Sequence, residues 1–131
     1  MTCLIPATRP STRTELFRRV GLGVDFINTH FADPIGLREI AAAALLSPFH
    51  CLRVFKAVHG VTPNVFLNER RLQAAERLLR GSKYPLDEVA SRVGFQSRTT
   101  LFRQMKRSRG LSPTEMRLSQ QQQQSSLHPG S

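Results

Sequence analysis

The 131 residues suffice for one compact domain or two small linked ones, and Phe, Leu, Ile and Val supply a real core. Trp is absent and Tyr84 is the only tyrosine, which argues against a protein that stacks flipped-out bases on an aromatic platform. A formal net charge of +10 points to a polyanionic partner, nucleic acid or anionic membrane, rather than to a cationic one.

The first predicted helix covers 17–31, where Val20, Val24, Ile27 and Phe31 recur on one face; Gly21 and Gly23 weaken its first turn, and Asp33-Pro34 ends it. Leu37, Ile40, Ala41 and Ala44 then repeat the i, i+3, i+4, i+7 pattern of a short amphipathic helix. Ser47-Pro48 supplies a cap and a first-turn proline for the next helix, whose inward stripe is Cys51, Val54, Phe55 and Val58, and which Gly60 closes. Thr62-Pro63 opens a longer helix, 63 to about 80, with a stripe of Val65, Leu72, Ala75 and Leu79 flanked by Phe66 and Leu78. Leu86, Val89, Ala90 and Val93 make another short helix, broken at Gly94; Ser97 caps one containing Leu101, Phe102 and Met105, closed by Gly110. Ser112-Pro113 begins a final turn around Met116, and no alternating run predicts a strand. The expected fold is all-α, about seven helices. Segment 1–15 and the Gln-rich tail 119–131 are expected to be disordered, because neither holds enough apolar surface to offset the entropy of ordering.

The chain repeats itself. Leu37, Glu39, Ile40 and Ala41 match Leu86, Glu88, Val89 and Ala90 at an offset of 49; beyond the turn the offset is 50, pairing Ser47 with Ser97, Arg53 with Arg103, Lys56 with Lys106, Gly60 with Gly110, and Thr62-Pro63 with Ser112-Pro113. Each copy is a short helix, a turn, and a second helix that starts at a serine cap and ends at glycine. That is the layout of a helix-turn-helix, whose second helix enters the major groove by its N-terminal half. The units span about 37–59 and 86–109.

With the apolar stripes inward, the first copy presents Phe49, His50, Leu52, Arg53 and Lys56, and the second Arg98, Thr99, Phe102, Arg103 and Lys106. Phe49, His50, Leu52, Arg53, Arg98, Thr99 and Arg103 are therefore the candidates for touching base edges. An arginine fork matches the O6 and N7 acceptors of guanine; a phosphate contact or a surface ion pair are the other uses of Arg53 and Arg103. Arg103 is favoured, because Arg98, Lys106, Arg107 and Arg109 surround it with positive charge. Ser47, Lys56, Ser97, Lys106, Arg107 and Arg109 are assigned to phosphates, which would supply affinity and salt dependence.

These residues resemble the DNA-binding domain of the AraC/XylS family of transcription regulators over about 20 to 118. The resemblance is carried by Asp87-Glu88-Val89-Ala90, Val93-Gly94-Phe95, Ser97, Phe102-Arg103, Lys106, Gly110, Ser112-Pro113 and Met116-Arg117. In the first half Ser47-Pro48-Phe49-His50, Arg53-Val54-Phe55-Lys56, Gly60, Thr62-Pro63, Arg71 and the run 75–79 carry it. It implies a DNA-binding domain over 16–118, in which the long helix 63–80 links two helix-turn-helix units that read successive major grooves about 34 Å apart. It further implies a sequence-specific regulator, an activator, with double-stranded promoter DNA and RNA polymerase as partners. A monomer could read two boxes, and a dimer is expected if the chain is part of a larger regulator. Met1 at the start fits a stand-alone regulator, and the short stretch before the first helix fits the C-terminal part of a longer one. Cys51, Leu52, Arg70 and Gly36 depart from the family pattern, where a larger apolar residue, a polar reader, an apolar residue and a Ser or Thr are usual. The second reading is a non-specific nucleic-acid-binding or protein-interaction module that modulates another regulator.

An enzyme is not expected. Cys3 and Cys51 have no zinc-ligand companions, His30, His50, His59 and His128 are scattered, and no paired carboxylates or phosphate loop converge, so neither cofactor nor metal is expected. The absence of a signal-peptide run or an 18-residue apolar window predicts a cytoplasmic protein without a membrane partner.

Overall fold

The computed structural model describes residues 9–119, with side chains from 13 onward. Its helices are α1 (Arg9–His30), α2 (Leu37–Ala43), α3 (Pro48–His59), α4 (Pro63–Gly81), α5 (Leu86–Val93) and α6 (Arg98–Arg109), followed by α7 over 113–119. Among the described residues there is no strand, as expected for the all-α class. Most of the expected disordered ends, 1–8 and 120–131, lie outside the described residues. The exception is a correction: α1 starts at Arg9, ahead of the apolar periodicity that begins at Phe17. Within α1, Glu15 accepts from Arg18 at 2.6 Å and from Arg19 at 2.9 Å, one turn along the same face.

The serine and threonine caps form as their sequence context dictates. Ser47 Oγ accepts the His50 N–H at 3.2 Å and Ser97 Oγ the Thr100 N–H at 3.2 Å, so each second helix of a pair begins in the same way. Thr62 Oγ1 caps α4 through the Val65 N–H, and Ser112 with Glu115 makes a reciprocal capping box at α7. Gly36 has no side chain to cap α2, so only half of a box exists there: its N–H donates to the Glu39 carboxylate at 2.9 Å. At the other ends Gly60 (φ 78°) and Gly110 (φ 76°) adopt the left-handed conformation and return their N–H groups to the Lys56 and Lys106 carbonyls.

The chain divides into two units, with the boundary between Leu67 and Asn68 inside α4. In the first unit, Val20 and Ile27 of α1, Ile40, Ala41 and Ala44, and Cys51 and Phe55 of α3 close a core under α2 and α3, completed by Leu46 and Leu67. Phe55 meets Phe66 edge-on at 5.4 Å between ring centroids. In the second unit, Leu72, Ala75 and Leu79 of α4 pack with Val89, Ala90 and Val93 of α5, Leu101 and Met105 of α6, and Met116 of α7.

One stripe differs from expectation. Val65 is 52% exposed, whereas Leu67, outside the predicted stripe, is buried. The first turns of α4 serve the first core through Phe66 and Leu67, and the stripe that begins at Leu72 serves the second, so one helix carries two registers of apolar residues.

Candidate nucleic-acid interface

In both units the buried positions of the second helix fix which residues face outward. Cys51 and Phe55 hold α3 against the first core, leaving Phe49, His50, Arg53 and Lys56 exposed and Leu52 half-buried. Leu101 and Met105 do the same for α6, leaving Arg98, Thr99, Phe102, Arg103, Lys106 and Arg107 exposed. Ser47 and Ser97 stand exposed at the two N-caps, each already engaged with its own helix. Burial pushes the Cys51 thiol pKa up, in keeping with a packing role.

The cations of these helices fall into two classes. Arg53, Lys56, Arg103 and Arg107 make no ion pair with any described residue. Arg53 and Arg103 stand at the same helical position, in the second turn of each helix. The remainder are paired. Arg98 lies 3.8 Å from Asp87 and Lys106 3.3 Å from Glu115, both solvent-exposed contacts of the kind worth little and easily exchanged for another anion. Glu115 is held below the usual carboxylate range chiefly by the Ser112 backbone N–H, then by Lys106.

Arg109 is the correction among the expected phosphate ligands. Its guanidinium donates to Glu76 at 2.5 Å and to both carboxylate oxygens of Glu69, at 2.9 and 2.7 Å, and only 20% of the side chain is exposed. The Glu69 carboxyl is held below its ordinary pKa primarily by the Arg109 hydrogen bond, and the Arg109 guanidinium is raised correspondingly. Satisfied twice over by carboxylates of α4, Arg109 fastens α6 to α4 instead of presenting charge outward. A second tie between the same helices runs from Asn68 Nδ2 to Gln104 Oε1 at 3.1 Å.

Other working residues also escape sequence reasoning. Arg117 of α7 donates to the Leu79 carbonyl at 3.2 Å and the Tyr84 carbonyl at 2.9 Å, satisfying acceptors at the end of α4 and in the loop after it. Arg92 stacks 4.2 Å above the Tyr84 ring. The one available signal was the spacing of Glu69 and Glu76, two turns apart on one face of an otherwise basic helix. Arg70, unusual in its place, donates to Gln73 and leaves its buried Nε without a partner.

Among the described residues no group of His, Cys, Asp or Glu could hold a metal ion, and no single helix is long and apolar enough to cross a membrane.

A family model described as a helix-turn-helix domain matches residues 40–119, which takes in the later part of α2 and all of α3 to α7. The chain belongs to the AraC/XylS family. It carries the DNA-binding domain of a transcriptional regulator of that family. Among its relatives, the multiple antibiotic resistance protein MarA of Escherichia coli (strain K12) is 28% identical over 107 residues, 81% of this chain and 84% of MarA. The transcriptional activator RhaS of E. coli O139:H28 is 35% identical over 102 residues, 76% of this chain but 36% of RhaS. The chain likewise spans 25 to 36% of the length of several other curated relatives, LumQ of Photobacterium leiognathi among them. Of solved structures, the DNA-binding domain of the global transcriptional factor AdpA, in complex with a target DNA, is similar with a TM-score of 0.76 and 30% identity. That likeness covers 80% of this chain and 95% of the AdpA domain.

Proposed function

We propose that this chain is a sequence-specific regulator that reads double-stranded promoter DNA in the major groove with α3 and α6. The observation that carries the reading is the pair Arg53 and Arg103: same helical position, both exposed, both without an internal carboxylate. An unpaired guanidinium on the N-terminal half of a helix-turn-helix second helix is free to donate its two parallel hydrogen bonds to guanine. The AdpA domain's complex with a target DNA supports a duplex as the ligand class.

Within a DNA-binding region of 16–118, with 37–59 and 86–109 as the two units and 63–80 linking them, Phe49, His50, Leu52, Arg53, Arg98, Thr99 and Arg103 would meet base edges. Ser47, Lys56, Ser97, Lys106 and Arg107 would meet phosphates. An activating role is supported by RhaS, which is named an activator, and RNA polymerase would then be the protein partner. Two reading helices on one chain would let a monomer occupy an asymmetric site, and cytoplasmic DNA is the expected setting.

Selection of bound duplexes from a random pool tests this reading. It predicts an enriched motif with at least one guanine whose preference disappears in Arg103→Ala, at a cost of about 1–3 kcal/mol at that position alone. Uniform affinity for all sequences would instead support a non-specific binder.

A further inference from the structure

Phe49 is 68% exposed on the first turn of α3, the most exposed large apolar side chain described in the molecule. It lies away from the buried Cys51 and Phe55, so the first core gives no reason for a phenylalanine there. His50, Arg53 and Lys56 are exposed polar residues of the same helix, and Leu52, one turn along, is half-buried. The Arg53 guanidinium carbon stands 5.7 Å from the centroid of the Phe49 ring, one turn further along the helix. In α6 the residue matching Phe49 is Thr99, and Arg103 has no ring beneath it among the described residues. The first unit thus holds an apolar plate and an unpaired guanidinium side by side, set in a cationic surface suited to a polyanion.

We infer that Phe49 and Arg53 act as one composite reader of a 5-methylpyrimidine followed or preceded by guanine, the ring against the methyl group and the guanidinium against guanine O6 and N7. This rests on the proposal that α3 enters the major groove. There, thymine is the only ordinary base that offers a methyl group; cytosine and adenine present amino donors that a phenyl ring would bury unsatisfied. The ring gains apolar contact only with a methyl, and by lying against Arg53 it narrows the rotamers of the fork before binding. Phe49 is therefore a specificity determinant in itself and a positioning residue for Arg53. 5-Methylcytosine carries the same methyl at the same ring position but keeps the cytosine amino donor, so it regains the methyl contact without matching thymine in full.

The test uses the full chain and a duplex selected from a random pool, with affinities measured by fluorescence anisotropy. Arg53→Ala first locates the guanine read by α3. Each thymine is then replaced by uracil, which removes only the methyl. Uracil next to that guanine should weaken binding about three- to tenfold. Cytosine there should bind weakly, with 5-methylcytosine restoring the part of the loss that the methyl contact accounts for. Phe49→Ala should lose a similar factor on the thymine duplex, become indifferent to uracil there, and relax the neighbouring guanine preference. Phe49→Leu should keep part of the methyl response but lose the guanine effect. Equal responses to uracil in the wild type and in Phe49→Ala would overturn the composite reader while leaving DNA reading by α3 intact. Failure to enrich any sequence would overturn the underlying proposal and this inference together.

Discussion

Leu45 and Gly94 occupy the same place in the two helix-turn-helix turns, and they show what a single side chain costs. Both adopt positive φ, 62° and 99°. Both precede the same reverse hydrogen bond, from the Leu46 N–H to the Ala41 carbonyl at 3.0 Å and from the Phe95 N–H to the Ala90 carbonyl at 2.9 Å. Glycine meets this conformation without steric penalty, whereas a residue with a Cβ pays roughly 1–2 kcal/mol. Leu45 is 58% exposed and so recovers little of that through packing. Leu45→Gly should therefore raise the unfolding free energy by about 0.5 kcal/mol, the relief exceeding the entropy glycine adds to the unfolded chain. Urea unfolding measures it, and a destabilised variant would show that the leucine side chain contributes more than its exposure suggests. Gly21 is the opposite case: it lies inside α1, and a Cβ there meets nothing within 4 Å. Gly21→Ala should stabilise by about 0.5–1 kcal/mol, seen as a raised melting temperature. The pairing of Leu45 with Gly94 emerges from their backbone angles and reverse hydrogen bonds, because the offset of the sequence repeat changes within this turn. The strain was not visible in the sequence either, because it depends on the backbone angle the turn imposes.

At the scale of elements, the tie between α4 and α6 decides what Arg109 does. Removing its charge leaves Glu69 and Glu76 facing each other partly buried, so Arg109→Gln should cost the second unit about 2 kcal/mol at neutral pH. The Glu69 carboxyl titrates lower in the folded protein than in the unfolded chain, so its contribution is complete above the unfolded value of 4.5 and is lost as pH falls through the depressed folded value. Acid should destabilise the wild type from about pH 4.5 downward. Arg109→Gln should flatten part of that slope, with the depressed Glu115 supplying part of what remains. Tyr84, the only tyrosine in a chain without tryptophan, packs on the second core, and its fluorescence reports this unit during urea unfolding. An acid slope unchanged by the substitution would contradict the assignment.

Over the whole molecule the charge of +10 is not one undifferentiated field. Arg109 is neutralised internally and Arg98 and Lys106 loosely, while Lys56 and Arg107 remain unpaired on the two candidate reading helices. Counterion release ties each phosphate contact to the salt dependence of binding. Lys56→Ala and Arg107→Ala should each reduce the slope of log affinity against log salt by about 1 while leaving the selected sequence unchanged, and Arg109→Gln should leave the slope alone. Affinities measured over a salt series check all three; a slope that moves with Arg109 and not with Lys56 would reverse the division.

The elements and their order followed from the sequence by itself, because caps, first-turn prolines, closing glycines and a 3.6-residue apolar period act within a few residues of one another. Ser47, Ser97, Gly60 and Gly110 behave in the structure as their local context dictates. The repeat likewise disclosed two matched helix pairs and which of their residues face outward. Tertiary structure alone decided the partners of Arg109, since Arg109 and Glu76 lie 33 residues apart and meet only because the second core brings α6 against α4. It also decided the change of register from Leu67 to Leu72, where one helix serves two cores. Local chemistry sets where helices begin and end; which cations stay free for a ligand depends on what folding places beside them.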